Sequence, residues 1–265
     1  MTVLPALRAE LASATNQLLA TAASLSDADI GAPSLLPGWT RGHVLTHLAG
    51  NARSHINLLT WARTGSRTPQ YASHEARAAE IEATAARPAS RLLADLEEES
   101  ARLSAAIRDL PEDRWSAQVE GMRPPPHPAW YALVRRLREV GLHHVDLDAG
   151  HTPADWPAPF VHRELHDCFA CWPHDRSTIG GVVLKDGERT IDSRHDLGQG
   201  PTVEGAPADL LAWLTGRSDG EGVSLLPVGQ SLTPRPGRAG LPDPPPWQTM
   251  PAPAGLPMTP PKDYP

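Results

Sequence analysis

The chain has 265 residues, enough for two domains with buried cores, and 40% of it is hydrophobic. Its formal net charge is −7 with the basic residues scattered, which excludes the concentrated cationic face that nucleic acid or an anionic membrane would need. Two cysteines, Cys168 and Cys171, are too few and too close for a disulfide framework; with no signal peptide at the N-terminus and no run long enough to span a membrane, the reading is a soluble, cytoplasmic protein.

From Ala6 to about Leu25, Leu7, Leu11, Leu18 and Leu19 recur at helical spacing and predict a first amphipathic helix. Ser26 with Asp29 reads as a capped turn. After the tight loop LLPGW, Thr40 is the N-cap of a second helix that runs through Val44, His47, Leu48, Leu58 and Ala62 and stops at Gly65. HEARAAEIEAT opens another helical segment, which Pro88 interrupts. A third long helix spans about Ala89 to Asp109, carried by Leu92, Leu93, Leu96, Leu103 and Ile107. Trp115 to His127 is irregular and proline-rich, and RLREVGLHHVDLDAG then supplies the fourth long helix. Four long helices with moderate connections predict an antiparallel four-helix bundle over residues 1–154. Beyond a linker, HTPADWPAPF, the pattern changes to a helix of about Val161 to Trp172, a hairpin around Asp186-Gly187, and an extended piece, turn and helix in PTVEGAPADLLAWLTGR ending at Gly216. Residues 155–234 therefore read as a smaller α+β domain, and 235–265 as a proline-rich extended or disordered tail.

The chemistry concentrates on the fourth helix. Residues four apart differ by about 40° around a helix axis, so Glu139 and His143 stand one above the other and can grip one ion. His144 falls in line with Leu133, Leu137 and Val140 and reads as packing. A catalytic zinc takes three protein ligands and keeps a fourth position open, so a third must come from another helix, and His47 is the choice. For a single histidine on an amphipathic helix the ordinary role is a satisfied core or surface group, and Glu139 with His143 alone would pass for a surface pair. Their stripe, however, continues into Asp146 and Gly150 instead of core apolars, and Asp146 is placed to orient a ligand histidine or to serve merely as a helix-end acid. The rival constellation, His162, His166, Cys168, Cys171 and His174 in VHRELHDCFACWPHD, reads instead as an amphipathic helix burying Leu165, Cys168, Phe169 and Trp172, with cysteine acting as a small hydrophobe.

LLPGWTRGHVLTHLAGNA, LLTWARTGSRTPQYASHEARAAEIEA, REVGLHHVDLDAG and LLAWLTGRSDG together resemble the mycothiol-dependent maleylpyruvate isomerases, in the family's order and over most of Pro37 to Gly222. The first and third motifs alone would suit any DinB-like thiol-dependent metalloenzyme; the second and the TGR element point to the isomerase. The resemblance implies a DinB-like bundle, zinc held by His47, Glu139 and His143, and conversion of maleylpyruvate to fumarylpyruvate in gentisate breakdown with mycothiol as thiol. It also implies a small dicarboxylate substrate, for which Arg77 in HEARAAEIE and Arg217 in LTGR are the expected bidentate receptors. Helix-end charge is the ordinary role for Arg217, and a solvated face the ordinary role for Arg77. If Arg217 reaches the metal pocket, the second domain closes one wall of it. A monomer is expected. The proline-rich tail and the cysteine pair depart from the family's motifs, and a mycothiol S-transferase or a zinc-stabilised binding module with four protein ligands are the competing functions.

Overall fold

Residues 2–226, 240–245 and 251–265 are described by the computed structural model of the protein. Its first helix, α1 (Leu4–Ala23), buries Leu4, Leu7, Leu11 and Leu18, and α2 (Asp27–Gly31) follows at once, opened by the reciprocal Ser26 and Asp29 capping box. The long helix α3 (Arg41–Thr64) begins after Thr40, whose side chain and backbone both meet His43, and ends at Gly65 in the left-handed conformation with φ 75°. Next come α4 (His74–Thr84) and, after the break at Pro88, α5 (Ala89–Asp109), whose stripe of Leu92, Leu96, Ser100, Leu103 and Ile107 faces inward. The irregular stretch predicted before the last bundle helix contains a 3-10 turn and two short paired strands, β1 (Gln118–Val119) and β2 (His127–Pro128). The bundle is completed by α6 (Tyr131–Asp146). Contacts of α1 and of α3 with both α5 and α6 put the core between these four, around Leu7, Leu18, Leu45, Leu48, Trp115 and Trp130. Each such buried leucine contributes about 1.5–3 kcal/mol relative to leaving it exposed.

The bundle continues to His151 and takes up Ala254–Tyr264 as well. The latter stretch belongs to the expected tail, and residues 251–265 contain no helix or strand. Residues 254–264 nevertheless lie against the bundle: Val3 donates to the Pro261 carbonyl, Trp130 Nε1 to that of Pro257, and the Tyr264 ring packs 5.1 Å from that of Trp130. Proline-rich composition forbids a core of its own, but one tyrosine can lodge in a core that already exists.

The second unit comprises the described part of Thr152–Pro253. It contains α7 (Ala158–Ala170), then β3 (Gly181–Asp186) and β4 (Arg189–Arg194), the hairpin expected at Asp186-Gly187, followed by β5 (Thr202–Gly205), α8 (Pro207–Leu214) and β6 (Val223–Leu225). Strand order is β4-β3-β5-β6, with β3 and β5 parallel and the other pairs antiparallel. Gly187 and Gly216 both take positive φ where the predicted turn and helix end require it. Of the four residues expected to be buried here, Leu165, Cys168 and Trp172 are, Phe169 is only half-buried, and Arg163, Glu164 and Asp167 are buried as well. The expected boundary at Pro234, and residues 235–239 and 246–250 of the tail, lie outside the described residues. No described helix is long and apolar enough to cross a membrane.

Candidate metal centre

The site is built where the start of α3 meets the end of α6. Arg41, the first residue of α3, donates from Nε to the Leu147 carbonyl at 2.7 Å and from Nη2 to that of Asp148 at 2.6 Å. Leu35 donates to the Asp146 carbonyl at 2.9 Å. On the other side, Arg136 is buried at 1% exposure and donates from Nη1 to the Leu48 carbonyl at 2.9 Å and Asn51 Oδ1 at 2.8 Å. Leu48 follows His47 directly and Asn51 lies one turn beyond it, and Arg136 lies one turn before Glu139, so this buried clamp sets the two helices in register across the site.

Between these anchors His47, Glu139 and His143 converge, one donor atom from each lying within 4.8 Å of the others. Among the described residues no other three His, Cys, Asp or Glu side chains converge in this way, and those of VHRELHDCFACWPHD do not. His47 Nε2 is 2.9 Å from Glu139 Oε2, and His143 Nε2 is 3.5 Å from the same oxygen. The two imidazoles stand nearly perpendicular, at 88°, with centroids 4.6 Å apart. Zinc bonds of about 2.0–2.1 Å in a tetrahedron put donor atoms roughly 3.3 Å apart, so the spacing and the N, N, O donor set fit one such ion with a position to spare.

The electrostatics fit as well. Burial pushes the His47 imidazole down to about 4, which keeps it neutral and able to ligate near pH 7. Burial would raise Glu139, but hydrogen bonds from His143 and His47 outweigh it and hold the carboxyl well below its ordinary range, so it is an anion. Burial likewise lowers His143, and here Asp146 and Glu139 more than compensate and leave it raised. Asp146, 1% exposed, accepts from His143 Nδ1 at 2.7 Å, which turns Nε2 toward Glu139. This contact is the one that the orienting role expected of Asp146 requires. His144, expected as packing, is buried, stacks on His151 at 3.7 Å and meets Thr21 Oγ1 through Nε2 at 2.8 Å.

Arg77 reaches the centre from α4: its Nη2 donates to His47 Nδ1 at 2.9 Å. A guanidinium can only donate, so Nδ1 is the acceptor and the ring hydrogen sits on Nε2, shared with Glu139. An ion held through Nε2 would instead place the ring hydrogen on Nδ1, which could then no longer accept from Arg77. Arg217 lies in the second unit just after α8, where its Nη1 hydrogen-bonds the Thr215 carbonyl and its backbone N–H the Ala212 carbonyl at 2.7 Å. Two groups were not read from sequence. Trp39 sets its ring edge-on to His47 at 5.8 Å and stacks on His43 at 6.0 Å, walling the centre. Tyr71 carries the Arg77 guanidinium over its ring at 5.8 Å, and its phenol is raised by burial and so remains protonated. Both occur inside the quoted motifs, which is the signal that could have found them.

Residues 11–148 match the mycothiol maleylpyruvate isomerase N-terminal domain, and residues 155–249 the C-terminal domain of the same family. A crystal structure of a mycothiol-dependent maleylpyruvate isomerase is 31% identical, with a TM-score of 0.80 over 92% of this chain and 97% of that one. A crystal structure of a histidine-to-alanine mutant of such an isomerase is 30% identical, with a TM-score of 0.79 over the same shares. Comparison with curated proteins gave no match.

Proposed function

The chain belongs to the mycothiol maleylpyruvate isomerase family, and from that membership we propose that it is a zinc- and mycothiol-dependent enzyme that converts maleylpyruvate to fumarylpyruvate. The observation that carries the reading is the convergence of His47, Glu139 and His143 in the bundle of a chain with both family domains. A cis alkene conjugated to a ketone cannot rotate until its double bond is temporarily removed. The bound zinc would keep the thiol's sulfur deprotonated at neutral pH, and the thiol supplies reversible addition to the alkene, so that rotation occurs about a single bond.

The protein's own part is to bind, orient and neutralise. His47, Glu139 and His143 would hold the ion and leave one position open, with Asp146 fixing the tautomer and aim of His143. Arg77, released from His47 Nδ1 when Nε2 ligates, is the receptor for one carboxylate of the substrate, where a charge-assisted fork both binds and orients. Trp39 shields one flank from water, which strengthens every charge interaction inside. No protein nucleophile is required, and Cys168 and Cys171 lie in the second unit, Cys168 buried and Cys171 against the Pro251 carbonyl.

The test is a product-resolved assay of purified protein on maleylpyruvate with mycothiol, with glutathione, and with no thiol. Fumarylpyruvate formed with mycothiol, in catalytic excess over protein, is the expected result. Accumulation of a stable thiol conjugate would identify a mycothiol S-transferase instead, and no turnover with any thiol would refute the reading.

A further inference from the structure

Arg135 stands on the same stripe of α6 as the candidate ligands of that helix: Arg135, Glu139 and His143 are successive steps of four residues, each about 40° further round the axis. Its guanidinium is thus one turn from Glu139, on the face that carries the metal centre. Its neighbours hold it there. A Cβ on Gly121 would lie 2.4 Å from Arg135 Nη1 and 2.9 Å from Gln70 Oε1, so the glycine leaves the guanidinium its room. Gln70 is itself fixed, accepting from the Met122 N–H at 2.9 Å and donating to Ser54 Oγ at 3.3 Å. His127, 1% exposed, accepts from Arg135 Nη1 through Nε2 at 3.2 Å, while its Nδ1 donates to the Pro128 carbonyl at 3.0 Å. That tautomer is neutral, and burial pushes the imidazole down to about 4, so His127 positions the guanidinium without neutralising it.

What Arg135 lacks is an anion. Burial weighs on its cation, Arg138 repels it and Glu139 attracts it from a turn away, yet among the described residues no carboxylate is paired with it. A desolvated guanidinium with only a neutral acceptor is costly to a fold, and an anionic ligand removes that cost. The planar fork matches a carboxylate in particular. Arg77 offers one such fork from α4, and Arg135 offers another from α6. We propose that Arg135 is a receptor for a carboxylate of the dicarboxylate substrate, with His127 and Gly121 as its positioning residues. The assignment rests on the isomerase reading above, whose substrate carries a carboxylate at each end of its chain.

The test is calorimetry of the whole, metal-loaded protein with heptanedioate, a saturated diacid of the substrate's chain length, and with heptanoate, which lacks one carboxylate. Wild type is expected to bind the diacid about tenfold or more tightly than the monoacid. In Arg135→Gln that preference should largely vanish, and in Arg135→Lys, which keeps the charge and loses the fork, it should fall part of the way, with metal content unchanged in both. A guanidinium that only supports the fold would lower the unfolding temperature and leave the preference alone. If Arg135→Gln does not fold, Gly121→Ala, whose added Cβ displaces the guanidinium, is expected to lower the preference instead. No preference for the diacid in wild type, or an undiminished one in a folded variant, overturns the receptor. A protein that isomerises maleylpyruvate with mycothiol yet fails this test keeps its reaction and loses the receptor. One whose diacid preference depends on Arg135 but that leaves maleylpyruvate unchanged keeps the receptor and loses the reaction.

Discussion

Asp146→Asn separates the aiming of the metal centre from its charge. The bond from His143 Nδ1 to Asp146 is 2.7 Å long and its acceptor is 1% exposed. A charge-assisted hydrogen bond of this kind contributes about 1.5 to 3 kcal/mol, and asparagine preserves the shape while removing the charge. At about 1.4 kcal/mol per tenfold, zinc affinity in mildly alkaline buffer should fall ten- to a hundredfold. The pH dependence should move the other way. Burial lowers His143, but Asp146 and Glu139 hold its imidazolium above the ordinary range, so protons compete with metal close to neutrality. Without the Asp146 charge, burial counts for more, the imidazolium gives up its proton more readily, and the midpoint of metal uptake shifts to lower pH. Competition against a chromophoric chelator across a pH series reads both effects. An unchanged alkaline affinity, or a midpoint that moves up, would refute the assigned role of Asp146.

Replacing Cys168 and Cys171 together by alanine should leave most isomerase activity in folded protein, because the attacking sulfur is the cosubstrate's; a folded but inactive double variant contradicts this. Arg217→Ala should lower kcat/KM about ten- to a hundredfold at unchanged zinc content, with lysine rescuing only in part because it keeps the charge and loses the fork; wild-type activity would remove Arg217 from the reaction. Metal-free protein should lose stability as pH falls from about 6.5 toward 4. Burial holds folded His47 and His127 down at about 4 and His55 at about 3, so the unfolded chain takes up protons first. Three such histidines would give a slope of up to about 4 kcal/mol per pH unit, whereas the stabilisation from the raised His143 is complete below 6.5 and fades at higher pH. Chemical denaturation that shows no weakening between pH 6.5 and 4 contradicts the buried neutral assignments.

Much of the candidate centre was legible because it rests on local periodicity. Glu139 and His143 share a face by spacing alone, Thr40 and Gly65 mark the ends of α3 by their chemistry, and Asp186-Gly187 marks a turn. What was hidden depends on contacts between distant residues. Nothing in the spacing singles out Arg136, yet its guanidinium is buried against Leu48 and Asn51, some eighty-five residues away. Arg163, Glu164 and Asp167 on α7 are buried, which helical periodicity does not reveal, because a charged stripe looks the same whether it meets solvent or a neighbouring element. The parallel pairing of β3 with β5 has no local signature, since it crosses from one strand pair to the next. Tyr264 is invisible to composition, which reports that a stretch forms no core and not that it joins one.

The central claim is a zinc held by three protein ligands with one position left for a thiol. X-ray absorption at the zinc edge, on purified protein before and after mycothiol, tests it directly. The account predicts one zinc per chain with two imidazole nitrogens and one carboxylate from the protein plus one light exogenous ligand, and replacement of that ligand by a single sulfur at about 2.3 Å when mycothiol is added. A closed shell of four protein ligands that mycothiol leaves unchanged would contradict it.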